Sequence, residues 1–229
     1  MIGDIHGDAD RMRALLADVD DATPLVAVGD YFDRWTGALD AVRWLMARPN
    51  TTALLGNHDA LILGVLEEHQ RGQEGRCTEN WLWNGGRAED LQGLLDDPQA
   101  AAWLRQRPAM TLIGDVLVQH ADSPVYLNYG ASVEEVNRAT RLRLESRDPE
   151  ALLTLFADLC RRRQFYAPRD LDAYLAMYGA RVLVHGHTPH MRPAAMTLFN
   201  GRLVNVDGAL SRGFGPGERG FVHWLEDGA

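Results

Sequence analysis

The chain has 229 residues, 46% of them hydrophobic, which is enough to bury one sizeable α/β core. A formal net charge of −9 excludes a binder of bulk nucleic acid or of an anionic membrane, while leaving room for a small phosphate ester held by local positive charge. Cys77 and Cys160 make neither a disulfide framework nor a thiolate zinc site. No apolar run approaches the roughly 20 residues needed to cross a bilayer, so a cytoplasmic protein is expected.

Only Met1 and Ile2 precede Gly3-Asp4-Ile5-His6-Gly7, so the strand that would deliver Asp4 is nearly absent. Either a longer native start was lost or this edge of the site is looser than usual. Met12, Leu15, Leu16 and Val19 form a helical stripe over Ala9–Val19. A strand over Leu25–Val28 follows, then a helix over Gly37–Ala47 that Pro49 stops, then a strand over Thr51–Leu55. This alternation implies parallel strands joined by right-handed crossovers. A helix is expected at Asp59–Leu66, a polar loop at Arg71–Arg76, and helices at Ala88–Leu95 and Pro98–Arg105. The stretch 71–105 reads as a cap or wall over a cleft, with its tryptophans in the core.

Met110–Ile113 and Val116–Gln119 read as a hairpin around Gly114-Asp115, with His120 at its exit. Helices are expected at Ser132–Leu144, Pro149–Arg162 and Leu171–Tyr178. A buried strand over Arg181–Val184 ends in His185-Gly186-His187-Thr188-Pro189. Asn200-Gly201 suits a type I′ turn between strands Thr197–Phe199 and Leu203–Val206. A glycine-rich loop, Gly208–Gly220, leads to a last strand at Phe221–Leu225. With no repeat and no low-complexity linker, a single domain over 1–229 is expected, with the cap-like insertion at 71–105 and a helical segment at 132–178.

The chemistry gathers where strands run out. Gly29-Asp30-Tyr31-Phe32-Asp33-Arg34 places two carboxylates and a guanidinium in five residues, costly to bury unless a cation and an anion are both nearby. Asp4, His6, Asp30, Asn57, His120 and one of His185 and His187 are hard oxygen and borderline nitrogen donors with no thiolate. Such a set suits manganese, iron or zinc better than calcium.

The blocks GDIHG, GDYFDR, GNHD, a lone histidine after a strand, and GHT, in that order from residue 3 to residue 188, resemble the calcineurin-like metallophosphoesterase superfamily. Within it the chain is most similar to the bacterial phosphoprotein-phosphatase group, which includes symmetrical diadenosine tetraphosphate hydrolases. The resemblance implies a four-layer α/β/β/α sandwich with two divalent metal ions at the strand ends, manganese first and iron, zinc or nickel as alternatives. It places Asp4 and His6 on one metal, Asp30 as the bridge, and Asn57, His120 and His187 on the other, since the family's ligand is the histidine after glycine. It makes His58 the general acid, Asp33 the carboxylate that orients it, and Arg34 a grip on phosphate oxygens. Arg162 is the candidate for a second such arginine, and His185 is expected to line the cleft. His69, His190 and His223 match no motif. Trp35, where the family commonly has glycine, and His120-Ala121-Asp122-Ser123-Pro124, in place of a Gly-Gly run, depart from the pattern beside the phosphate.

Two divalent ions against Asp4 and Asp30 leave the cluster positive, so it would attract a phosphate ester and acidify a bridging water toward ~7. The expected reaction is hydrolysis of phosphate monoesters, phosphoproteins included, by in-line attack of a metal-held hydroxide. A diadenosine polyphosphate hydrolase or phosphodiesterase is the alternative, favoured if Trp81, Trp83 or Tyr126 stacks on a base. An inactive metal-bearing module would have lost the proton donor or the phosphate grip, yet His58 and Arg34 are both present.

Overall fold

The computed structural model describes residues 1–217 and 219–225. β1 (Leu25–Ala27) pairs in parallel with β2 (Thr51–Ala53), and Ile2 also bridges Ala27 in parallel. The strand expected before Asp4 is thus reduced to one bridge, held by Ile2 N–H donating to Val26 O at 2.9 Å. A five-stranded sheet runs in the order β3 (Met110–Ile113), β4 (Val116–Gln119), β5 (Val182–His185), β7 (Leu203–Asn205), β6 (Met196–Leu198). Its centre, β4, β5 and β7, is parallel, and the outer strands join antiparallel.

Side chains of these strands sort with a period of two. Val26, Val28 and Leu54 share one core with Val116, Val118, Val184, Val204 and Val206, so the sheets meet through a layer rich in valine. The intervening residues, Leu25, Ala27, Ala53 and Leu55 in one sheet and Leu117, Leu183 and Leu203 in the other, join the larger core with the helices. β-Branched residues between sheets and leucines toward helices give the α/β/β/α layering that the motifs implied.

The helices are α1 (Ala9–Leu15), α2 (Ala38–Ala47), α3 (Asn57–Gln70), α4 (Arg76–Trp83), α5 (Ala88–Asp96), α6 (Pro98–Leu104), α7 (Val133–Ser146), α8 (Pro149–Leu159) and α9 (Pro168–Met177). Arg48, extended before Pro49, ends α2 as expected. α3 is buried all round from Asn57 to Glu68 and packs against α4 and α8. The insertion 71–105 supplies α4, α5 and α6, and the stretch 132–178 supplies α7, α8 and α9.

Several expectations are corrected. α1 stops at Leu15, short of Val19, and α8 stops at Leu159, so Arg161 and Arg162 lie in the loop beyond it. α4 is not among the expected helices; Glu68 of α3 supplies its start by accepting from Cys77 N–H and Thr78 N–H, both at 2.9 Å. Phe221–Leu225 is not a strand, although His223 N–H donates to Met1 O at 2.9 Å. The turn at Asn200-Gly201 does have positive φ at both residues, 56° and 82°. Cys77 and Cys160 are free thiols. Among the described residues no helix is long and apolar enough to cross a membrane.

Candidate metal centre

The parallel strands deliver their ends to one edge: Asp30 follows β1, Asn57 and His58 follow β2, His120 follows β4, and His187 follows β5. The chain turns sharply there. His6, Asp30, Asp33, Arg34 and His187 have φ of 43°, 54°, 71°, 67° and 64°, a left-handed conformation that costs such residues about 1–3 kcal/mol each. Backbone bonds hold the turns: Ile5 and His6 N–H both donate to Asp30 O, at 3.0 and 2.9 Å. Asp59 accepts from the N–H groups of Asp30, Tyr31 and Gly56 at 2.8, 2.9 and 2.8 Å, tying the second and third motifs together. Asp4 accepts His187 N–H with both oxygens, at 3.0 and 3.1 Å, tying the first motif to the last.

Asp30 stands between two groups of imidazoles. One ligand atom from each of His6, Asp30 and His58 lies within 4.8 Å of the others, and the same holds for Asp30, His120 and His187. Carbonyls set the tautomers. His6 Nδ1–H donates to Phe32 O and His120 Nδ1–H to Val28 O, both at 2.9 Å, which leaves each Nε2 with a lone pair. His187 Nε2–H donates to Cys160 O at 3.1 Å, leaving Nδ1 free. The His6 lone pair then faces Asp30 Oδ2 at 3.7 Å. That of His120 faces Asn57 Oδ1 at 2.9 Å and Asp30 Oδ1 at 3.4 Å. Acceptors converging on acceptors are repulsive unless a cation lies among them.

The electrostatics agree. Burial first, then the charges of Asp207 and Asp30, push Asp4 well above the ordinary carboxylate range. Burial likewise raises Asp30, and it lifts Asp59 to about 8 with the charge of Asp30 adding to it. Burial lowers His6 and His120 strongly and His187 to about 3, keeping them neutral donors. His58 goes the other way. Burial pulls it down, but the charge of Asp30 and the hydrogen bond and charge of Asp33 outweigh that and raise it. Its Nδ1–H donates to Asp33 Oδ2 at 2.6 Å, and its Nε2 lies 3.4 Å from Arg34 Nη2.

Arg34 and Arg162 line the same cleft as Asp4, His6, Asp30, His58 and His187. His185 does not. Two positions before His187 it points to the other side of the loop, into a separate hollow of about 380 Å³ with Asp122, Arg163 and Phe165. Trp81 and Tyr126 are buried, their polar atoms bonded to Asp33 Oδ1 (2.6 Å) and Ala121 N–H (3.1 Å), so neither is free to stack on a base. Trp83 is 91% exposed and does not belong to the core.

Sequence reasoning missed three groups. Asp207 follows β7, is buried beside Asp4, has Oδ2 without a partner among the described residues, and is pushed up to about 7 by burial. The strand-end rule used elsewhere would have found it after Leu203–Val206. Trp81 and Asp90 of the insertion support the Asp33 side chain and the Asp33 N–H (2.8 Å to Asp90 Oδ2), and no spacing signals either contact.

The profile of the calcineurin-like phosphoesterase family matches residues 1–191. The chain belongs to that family. Symmetrical bis(5'-nucleosyl)-tetraphosphatases of Salmonella paratyphi B and Salmonella typhimurium are each 32% identical to this calcineurin-like phosphoesterase over 117 residues, 48% of this chain and 37% of theirs. The match therefore spans little more than a third of those relatives' length. Two solved structures share the fold: a cold-active protein-tyrosine phosphatase of a psychrophilic Shewanella (TM-score 0.69, 20% identity, 95% of this chain and 72% of that one), and a metallophosphoesterase from Sphaerobacter thermophilus (TM-score 0.51, 16% identity, 90% and 74%).

Proposed function

We propose that this calcineurin-like phosphoesterase hydrolyses phosphate esters at a centre of two divalent metal ions. The observation that carries the reading is the place of Asp30 between two groups of imidazoles, with the lone pairs of neutral His6 and His120 facing carboxylate and amide oxygens. Buried Asp4, Asp30, Asp59 and Asp207 have no counter-charge of their own among these neutral histidines, so the residues fit a pair of cations. Asp4, His6 and Asp30 would hold one, and Asp30, Asn57, His120 and His187 the other. Manganese, iron, zinc and nickel all suit the donors. Bound there, such ions would supply positive charge to the phosphoryl oxygens and acidify a water toward ~7.

The chain's own side chains do the rest. Arg34 and Arg162 bind phosphate oxygens from the cleft wall. His58 gives its proton from Nε2 to the leaving oxygen, and Asp33 holds the ring through Nδ1 and favours the charged imidazolium. A substrate panel with manganese-loaded protein tests the reading: p-nitrophenyl phosphate, its bis-ester, a phosphopeptide and diadenosine tetraphosphate. Release of phosphate from p-nitrophenyl phosphate that a chelator abolishes is expected, and failure on all four substrates overturns it.

A second reading has a specific observation behind it, the similarity to symmetrical tetraphosphatases across 48% of the chain. Under it diadenosine tetraphosphate is cut at its centre to two ADP and outruns p-nitrophenyl phosphate in kcat/KM.

A further inference from the structure

The glycine-rich stretch after β7 supplies none of the donors above, yet it closes one side of the cleft. Its 3-10 turn, Arg212–Phe214, is fastened at several points. Arg212 makes a fork to Asp8, Nε to Oδ2 at 2.9 Å and Nη2 to Oδ1 at 2.6 Å, while its backbone N–H donates to Asp8 Oδ2 at 2.8 Å. Its guanidinium also lies 4.9 Å from the Trp35 ring centroid. Ser211 Oγ donates to His6 O at 2.9 Å. Gly213 then meets Arg34 directly: a Cβ added there would lie 2.7 Å from Arg34 Cβ and 3.0 Å from Arg34 O. That approach sets the Phe214 ring beneath Arg34, with Cζ 5.1 Å from the centroid, and edge-on to His6 at 5.4 Å.

Arg34 itself is unusual. It makes no ion pair with a carboxylate among the described residues, and its buried Nε has no hydrogen-bond partner there. An aromatic face fixes the plane of a guanidinium without neutralising its charge or taking up its N–H donors.

We propose that Phe214 is a positioning residue for Arg34. The turn is a clamp, locked by Asp8 and Arg212, that holds the guanidinium over an aromatic face, beside His58 Nε2 and with no carboxylate on its terminal N–H groups among the described residues, so that these can turn to the oxygens of a phosphate dianion. The inference rests on the phosphate-ester reading and adds to it the part of the chain that organises the anion grip. It also gives Trp35 a place: the ring stands where the family commonly has glycine and packs under Arg212, part of the clamp.

The test measures inorganic phosphate binding to manganese-loaded protein by calorimetry, with KM and kcat for p-nitrophenyl phosphate, in wild type, Phe214→Ala, Phe214→Leu and Phe214→Tyr. Phe214→Ala and Phe214→Leu are expected to weaken phosphate binding and raise KM roughly tenfold, with kcat and manganese content changed far less. Phe214→Tyr is expected to restore both, since it keeps the ring face. Leucine binding phosphate as well as phenylalanine does, or alanine leaving affinity unchanged, overturns the clamp alone. Wild type that neither binds phosphate nor hydrolyses the ester overturns the phosphoesterase reading with it.

Discussion

The Asp33–His58 pair depends on an indole from the insertion, and Trp81→Phe isolates that dependence. Trp81 Nε1–H donates to Asp33 Oδ1 at 2.6 Å while the other oxygen holds His58 at 2.6 Å, so each carboxylate oxygen has one strong partner. Asp33 is 0% exposed and Trp81 3%, so water cannot replace the lost donor. A hydrogen bond to a charged group is worth about 1.5–3 kcal/mol, and the gap left by the smaller ring adds about 1 kcal/mol. Stability should fall by about 2.5–4 kcal/mol in urea unfolding, with m unchanged. The carboxylate is then free to rotate about its remaining partner, and kcat should fall about 10–100-fold with KM and metal content nearly constant. A companion variant separates hydrogen bond from bulk. A Cβ at Gly86 would lie 2.3 Å from Trp81 Cδ2, so Gly86→Ala displaces the ring while keeping its N–H, and it should lower kcat as well. Trp81→Phe with stability within about 0.5 kcal/mol of wild type, or with unchanged kcat, would refute the reasoning.

His58→Asn should keep its metal while kcat drops about 10²–10⁴-fold, and unchanged turnover would remove it as the proton donor. Asp30→Asn should lose metal from both halves of the site, measured by elemental analysis after dialysis; full loading would disprove the bridge. Glu68 accepts from Cys77 N–H, Thr78 N–H and Thr78 Oγ1 (2.9, 2.9 and 2.7 Å), and these bonds outweigh its burial and lower its pKa from 4.5. Its contribution is therefore present above pH 4.5 and is lost as pH falls through the lowered value. Glu68→Gln should be less stable than wild type near neutrality, with the gap narrowing in acid; a gap independent of pH would show that the carboxylate's charge is not what caps α4.

The candidate metal centre was legible in the sequence because each proposed donor belongs to a short block at a strand end, where residue type and position coincide. Asp4, His6, Asp30, Asn57, His120 and His187 could all be placed that way, and they do converge. What stayed hidden was set by contacts across the fold. His185 and His187 are alternatives in sequence, and only the turn at His187, φ 64°, decides which one faces the cleft. Arg162 was read as the last turn of a helix, yet α8 ends at Leu159 and the loop beyond it turns the side chain to the site. Trp81 and Trp83 look equivalent two residues apart, but a helix sends such a pair to different faces, one to Asp33 and the other to solvent.

That helix alters how the insertion is understood. A cap that merely walls a cleft should tolerate small displacements. α4 has no such freedom, because Glu68 of α3 fixes its first turn and Trp81 in its last turn fixes Asp33. α3 begins at Asn57 and His58, so the helix that carries the proposed acid also anchors the helix that braces the acid's partner. The loop closes on itself through two buried carboxylates, Asp33 and Glu68, each satisfied by groups from another element. Mutational effects along this path should therefore couple: Glu68→Gln and Trp81→Phe combined should cost less than the sum of their separate losses in kcat, since either one already loosens Asp33. Strict additivity would mean that α4 responds to each change independently and that the brace is local to Trp81.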